Sequence, residues 1–312
     1  MAGAGAPGFL PPAAFVRSPE ALGRRWPEAE GRAYTRWLAT NHYENFHVVS
    51  ILLPKRLHQD FYNVYAYCRW ADDLADEIGD KAESLRLLGW WRSELDAMYA
   101  GRTTHPVFAA LGSTVAQYGI PRQPFSDLLD AFVQDQTVTR YRDWEELFGY
   151  CRNSANPVGR LILYLGGYSD EARQRLSDAT CTALQLANFW QDVTVDLLKD
   201  RVYIPLQIME RHGYTVEELF ARRFSTAFAA VMREVVDRAR GLFLEGLPLA
   251  GTVNRRLAID LDLFSRGGMR VLEKIEQQGY DVLRARPAIS KMERAGLLLG
   301  SVARAAFSTR AA

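Results

Sequence analysis

The stretch from Phe61 to Asp76 reads FYNVYAYCRWADDLAD, and its spacing decides the fold class. Phe61, Val64, Tyr65 and Cys68 recur at intervals of three and four, the stripe of an amphipathic α-helix, and Leu85, Leu88 and Trp91 continue the period. At the end of the stretch Asp72 and Asp76 stand four residues apart with Asp73 between them. A helix projects positions i and i+4 from one face, so the pair presents two carboxylates side by side.

Outward from this segment the same period returns in Leu128, Leu129 and Phe132, in Leu161 to Leu165, in Leu184 to Leu198, in Phe228 to Leu244 and in Leu257 to Gln278. Breaks are expected at Pro54, Gly79-Asp80, Gly101, Pro106, Pro121, Pro157, Pro205, Pro248 and Pro287. Alternating strand patterns are almost absent, and neither a Gly-rich dinucleotide loop nor a fixed-period repeat is found. The expectation is an all-α protein with a single helical domain over residues 31–305. Residues 1–30, with Pro7, Pro11, Pro12, Pro19 and Pro27 among Gly and Ala, are expected to be a flexible leader.

The chain has 312 residues, 48% of them hydrophobic and 24% charged, which is the composition of a globular protein able to bury a core. Lys and Arg number 38 against 37 Asp and Glu, so bulk charge gives no reason to expect nucleic acid. Cys68, Cys151 and Cys181 lack the spacing of a disulfide framework or a zinc site. No apolar run is long enough to span a bilayer, and the opening residues lack a secretory pattern; the expected location is the cytoplasm.

A second acidic pair, Asp192 and Asp196, lies in NFWQDVTVD. Like charges at i and i+4 cost roughly a few tenths of a kcal/mol in an isolated helix, and both pairs sit in apolar segments, so something must compensate. Solvent, or ion pairs to Arg69, Lys199 and Arg201, is one answer. The other is a hard divalent cation: Mg²⁺ takes oxygen ligands, commonly a few carboxylates together with substrate phosphate oxygens. Two facing helices of this kind would clamp a metal and a diphosphate, and the cation would neutralise charge developing on the leaving group. Phe46, Tyr67, Tyr150, Tyr164, Phe189 and Trp190 flank the motifs, as core residues or as rings whose quadrupoles stabilise a carbocation.

These residues resemble the squalene and phytoene synthase family of head-to-head prenyl synthases. HYENFHVVSILLPKRLHQDFYNVYAYCRWADDLAD, from His42 to Asp76, is similar to the family's first signature. YCRNSANPVGRLIL resembles its YCxxxAGxVG segment, through Tyr150, Cys151, Ala155, Val158 and Gly159. LQLANFWQDVTVDLLKDRVYIP resembles its second signature through Asn188, Asp192, Asp196, Arg201, Tyr203 and Pro205, and IEQQGYDVLRARPAISKMERAGLLL resembles its C-terminal helix pair. The likeness covers about residues 40–300.

The resemblance implies an isoprenoid synthase fold, one helical domain around a central cavity, with Mg²⁺ as cofactor and prenyl diphosphates as substrates. It implies Asp72, Asp76, Asn188, Asp192 and Asp196 as metal ligands, and Arg69, Asn188, Arg201 and Asn45 as diphosphate contacts. Tyr150 is implied as a catalytic tyrosine near the cation, and Phe46, Tyr67, Phe189 and Trp190 as cavity walls. Two departures stand out. The usual Ser-x-Ser-Phe-like segment reads Tyr43-Glu44-Asn45-Phe46, and the usual RDxxED reads QDVTVD, with Gln191 for Arg and Val195 for Glu. That pattern looks like the bacterial hydroxysqualene synthase branch, taken to convert presqualene diphosphate and water to hydroxysqualene and diphosphate after a sister enzyme supplies the substrate. The rival reading condenses two prenyl diphosphates, such as farnesyl diphosphate, to presqualene diphosphate, squalene or phytoene. A non-catalytic relative is disfavoured by the intact aspartates, and a His/Glu metal bundle by the absence of such pairs near them. So greasy a substrate suits peripheral contact with the inner membrane face.

Overall fold

The computed structural model describes residues 8–41 and 54–308, and among them the chain is helical with no strand; one isolated parallel bridge joins Arg140 and Val202. The all-α expectation is met. Packing divides the chain into two compact units: one runs to Thr137 and takes in Tyr164–Gly167, and the other holds Val138–Leu163 and the chain from Tyr168 onward. A single domain over 31–305 was expected; each unit closes over a core of its own.

The first unit contains α1 (Pro12–Phe15), α2 (Pro19–Gly23), α3 (Glu28–Asn41), α4 (His58–Asp76), α5 (Lys81–Tyr99), α6 (Pro106–Tyr118) and α7 (Gln123–Asp135). Two of the expected breaks, at Gly79-Asp80 and Pro106, set helix starts, and Gly119 sets an end that the expected breaks did not include. Asp80 caps α5 by accepting from the Glu83 amide, Pro106 occupies the first turn of α6, and Gly119 closes α6 in the left-handed conformation. The core is aromatic: Trp70 and Trp91 stack at 4.9 Å, Tyr67 stacks on Trp91 at 5.8 Å, Phe108 is tilted against Trp91, and Phe125 stands edge-on to Tyr67. A buried polar network crosses it. Asn63 accepts from Thr35 at 2.7 Å and donates to Thr114 at 2.9 Å, and Thr114 in turn donates to Asp60 at 2.8 Å, tying α3, α4 and α6 together.

The expected flexible leader is corrected over residues 8–30. Pro at the first turn starts both α1 and α2, where its missing N–H costs nothing, and Phe15 and Trp26 are buried against the aromatic core, Phe15 edge-on to Trp70 at 5.2 Å. Prolines that read as breakers serve here as helix starts.

The second unit contains α8 (Trp144–Ser154), α9 (Asn156–Leu165, whose last two residues group with the first unit), α10 (Glu171–Asp196), α11 (Leu206–Arg211), α12 (Val216–Phe220), α13 (Thr226–Gly246), α14 (Arg255–Gln277) and α15 (Lys291–Ser308). The 26-residue α10 is its axis, capped by Asp170 and packed on α13 and α14, with Ala183, Leu186, Ala187 and Trp190 among its buried residues. Gly246, at the end of α13, lies so close to α10 that a Cβ there would meet the Thr180 side chain and stand 2.9 Å from its amide nitrogen. Among the described residues no helix is long and apolar enough to cross a membrane. The three cysteines are free, as their spacing suggested.

Candidate active site

On α4 the face that enters the aromatic core carries Tyr67, Trp70 and Leu74, whereas Val64, Tyr65 and Cys68 of the sequence stripe are only half-buried and share the side of Asp72 and Asp76. Asp72 is half-exposed and Asp76 exposed, whereas Asp73 is 1% exposed. Arg69, one turn back, reaches all along this edge: its guanidinium lies 2.6 Å from Asp73, 2.9 Å from Glu77 and 3.4 Å from Asp72. Burial pushes the Asp73 carboxyl up to about 7, against the pull of Arg69, with Glu77 and Asp72 adding to the rise. Arg69 was expected to contact diphosphate; here it is engaged as the counter-ion of Asp73, whose structural role the sequence did not reveal. Asp72 and Asp76, by contrast, are open to solvent.

The second acidic segment closes α10. At Asp192 the backbone leaves helical geometry, with φ −104° and ψ 15°, so the last turn bends away from the helix that precedes it. Such bridge-region dihedrals recur at active-site residues. Asn188 donates to Asp192 at 2.7 Å, and the Arg286 guanidinium pairs with both Asp192 oxygens. Arg286 is held more firmly protonated by that carboxylate. Asp196 is pushed up to about 7, first by burial and then by the charge of Asp192, while Arg201 and Lys199 pull the other way. The Arg201 amide also donates to the Asp196 carbonyl at 3.0 Å. Asp192, Asp196, Asn188 and Arg201 thus lie close together at the end of α10, and Arg286, 94 residues away in sequence, joins them without having been singled out.

Beside this segment Tyr150 is buried in a cluster with Tyr141, Phe189 and Tyr203, where Phe189 stacks on Tyr203 at 3.6 Å and Tyr150 lies 6.0 Å from Tyr203. A small cavity is lined by Phe189, Val193, Asp196, Arg201, Tyr203 and Leu219. Tyr67 and Trp190 are fully buried: Tyr67 donates to the Phe125 carbonyl at 2.8 Å among the core rings, and Trp190 packs on Trp144 and Phe189. Both are corrected from cavity wall to core. Asn45 and Phe46 lie outside the described residues.

Among the described residues no group of three or more His, Cys, Asp or Glu side chains converges on one point as a self-sufficient metal cage. The donor chemistry still fits Mg²⁺. Each acidic segment offers oxygen ligands only, carboxylates with an Asn amide beside one of them, and Mg²⁺ completes its octahedron with water and substrate phosphate oxygens.

Comparison with known proteins bears on what this chemistry serves. A family described as squalene/phytoene synthase matches residues 39–293. A phytoene synthase of Thermus thermophilus is 33% identical over 91% of this chain and 96% of its own length. A hydroxysqualene synthase of Rhodopseudomonas palustris is 34% identical over 76% and 81%. The crystal structure of squalene synthase HpnC from Alicyclobacillus acidocaldarius superposes with a TM-score of 0.78 at 44% identity, covering 80% of this chain and 95% of that one.

Proposed function

The chain belongs to the squalene/phytoene synthase family, and on that premise we propose that it converts presqualene diphosphate and water to hydroxysqualene and diphosphate. In this reading Asp72 and Asp76 on one helix, and Asn188, Asp192 and Asp196 on the other, hold Mg²⁺ for the substrate diphosphate. The metal, when bound, neutralises charge on the departing diphosphate. Arg201, beside Asp196, supplies a fixed positive charge to the same anion, and the buried rings of Tyr150, Phe189 and Tyr203 offer quadrupoles to the carbocation left behind. Loss of diphosphate gives the cyclopropylcarbinyl cation, its ring opens by rearrangement, and water captures the resulting cation to place the hydroxyl and gives up its proton to solvent or the departing diphosphate.

The observation that carries this reading over its rival is Gln191. It stands where a condensing member would usually have Arg, and its side chain is spent on a hydrogen bond of 2.6 Å to the Pro287 carbonyl, leaving no cation at that position. A site with one cation fewer suits one diphosphate better than two. The rival, condensation of two prenyl diphosphates, is favoured by the likeness to the Thermus phytoene synthase over nearly the whole chain.

Purified protein with Mg²⁺ and no NADPH, given presqualene diphosphate or farnesyl diphosphate separately, distinguishes the two by mass spectrometry of the extract. Hydroxysqualene from the first substrate alone supports the proposal; presqualene diphosphate or phytoene-type products from simple prenyl diphosphates replace it with the condensing reading. A sister prenyltransferase supplies the substrate in this scheme. Contact with a lipid surface falls to α15, where Met292 and Leu299 are 85% and 71% exposed beside Lys291 and Arg294.

A further inference from the structure

Arg286 lies on the irregular segment between α14 and α15 and reaches the one acid at which α10 breaks. Its Nε donates to Asp192 Oδ1 and its Nη2 to Oδ2 at 3.2 Å, while Asn188 donates to Oδ2 at 2.7 Å. Three donors on two oxygens leave little of the carboxylate's accepting capacity for a further ligand, and a fork-shaped guanidinium covers both oxygens at once. The segment is held by a second contact next door, the Gln191 amide on the Pro287 carbonyl. Gln191 and Asp192 on α10 thus grip Arg286 and Pro287 as two adjacent rungs.

We infer that Arg286 is a resident counter-cation that occupies Asp192 in the metal-free protein and competes with the divalent cation for it, so that metal loading requires the 284–287 segment to let go. This rests on the reading of Asp192 as a metal ligand. A guanidinium and a divalent ion on one carboxylate repel each other, and the carboxylate cannot give both oxygens to each; one displaces the other. The guanidinium is half-exposed, so release returns it to water at little cost. Asp192 keeps its charge neutralised in either state, which lets an acid stand beside Asp196 without a metal. The departure at position 191 belongs to the same device: Gln donates to a carbonyl where an Arg would bring a second cation toward Arg286.

The test is cation binding by the full-length protein without prenyl substrate. Mn²⁺ titration followed by electron paramagnetic resonance, and Mg²⁺ titration by calorimetry, are run with and without inorganic diphosphate on the wild type, Arg286→Gln, Gln191→Ala and Asp192→Asn. Arg286→Gln is expected to tighten the apparent Kd about fivefold, the size of a half-exposed ion pair removed as competitor. Gln191→Ala leaves both charges in place and loosens only the segment; it is expected to move the same way by less, and it carries the test if Arg286→Gln does not fold. Asp192→Asn is expected to weaken binding. If Asp192→Asn weakens binding while both other variants match the wild type, Arg286 is a structural pin and the inference falls. If Asp192→Asn leaves binding unchanged, or no protein binds either ion with diphosphate present, the metal reading of Asp192 falls instead.

Discussion

The Arg69 guanidinium lies 2.6 Å from the carboxylate of Asp73, one helical turn away, and Asp73 is the acid of its motif that turns inward. Two neighbours in sequence, Asp72 and Asp73, thereby take opposite duties. One is half-exposed, and the other is held in the wall of the core by its own helix.

Removing that guanidinium strands a buried charge. Arg69→Gln is expected to lower unfolding free energy by about 2 kcal/mol at pH 8, less than for a fully enclosed pair because Arg69 keeps access to water. The loss should shrink at pH 5, where Asp73, pushed up to about 7, is protonated in the folded state. Urea denaturation at the two pH values measures both.

Asp260, on α14, is 4% exposed with Oδ1 lacking a hydrogen-bond partner, and burial pushes its carboxyl up to about 7. A folded-state value raised above the unfolded one gives stability that is complete below the unfolded value and is lost as pH rises through about 7. Asp260→Asn is expected to match the wild type near pH 4 and to exceed it at pH 8, by roughly 4 kcal/mol at most. Tm across that range is the readout.

His105 has the opposite sign. Its Nδ1 accepts from the Val107 amide at 3.2 Å, its ring stands edge-on to Trp70 at 4.4 Å, and burial holds its pKa well below the ordinary value. A second ring proton would face an N–H, so the folded state prefers the neutral ring. Stability is complete above the unfolded value and falls as pH drops below about 6.5. His105→Asn, which keeps a side chain able to cap α6, is expected to be less stable at pH 8 but to lose this part of the acid slope, seen by following unfolding from pH 8 to pH 5.

Gly246 sets the distance between α13 and α10. Gly246→Ala would place its Cβ 2.9 Å from the Thr180 amide nitrogen and 3.0 Å from the Leu176 carbonyl, both backbone atoms that cannot rotate away. A loss of about 2 kcal/mol is expected from overpacking, measured by chemical denaturation.

Much of this could be read from sequence because helical periodicity and its Pro and Gly breaks are local signals. The break between α4 and α5 falls at Gly79-Asp80, where the pattern put it, whereas the pattern from Leu184 runs to Leu198 and α10 ends at Asp196. Orientation within a motif was less legible: spacing alone placed Asp72 and Asp76 together but did not say that Asp73 faces the core. Long-range pairing was not legible at all. Arg286 lies in a stretch read as a helix connection, and nothing in RARP points to an acid 94 residues earlier. Burial of Phe15 and Trp26 was hidden because prolines within a helix and prolines that begin one look the same in composition.

The break at Asp192 has a consequence for how motion is shared along α10. A continuous 26-residue helix would transmit any shift of its last turn into the packing of Trp190 and Leu186. With the backbone already out of register at Asp192, the Val193–Asp196 turn is a short lever on a fixed shaft, and Asp196 can be re-aimed while the shaft stays packed. Amide hydrogen exchange should register this as a boundary, with slow protons up to Phe189 and Trp190 and faster ones beyond Asp192.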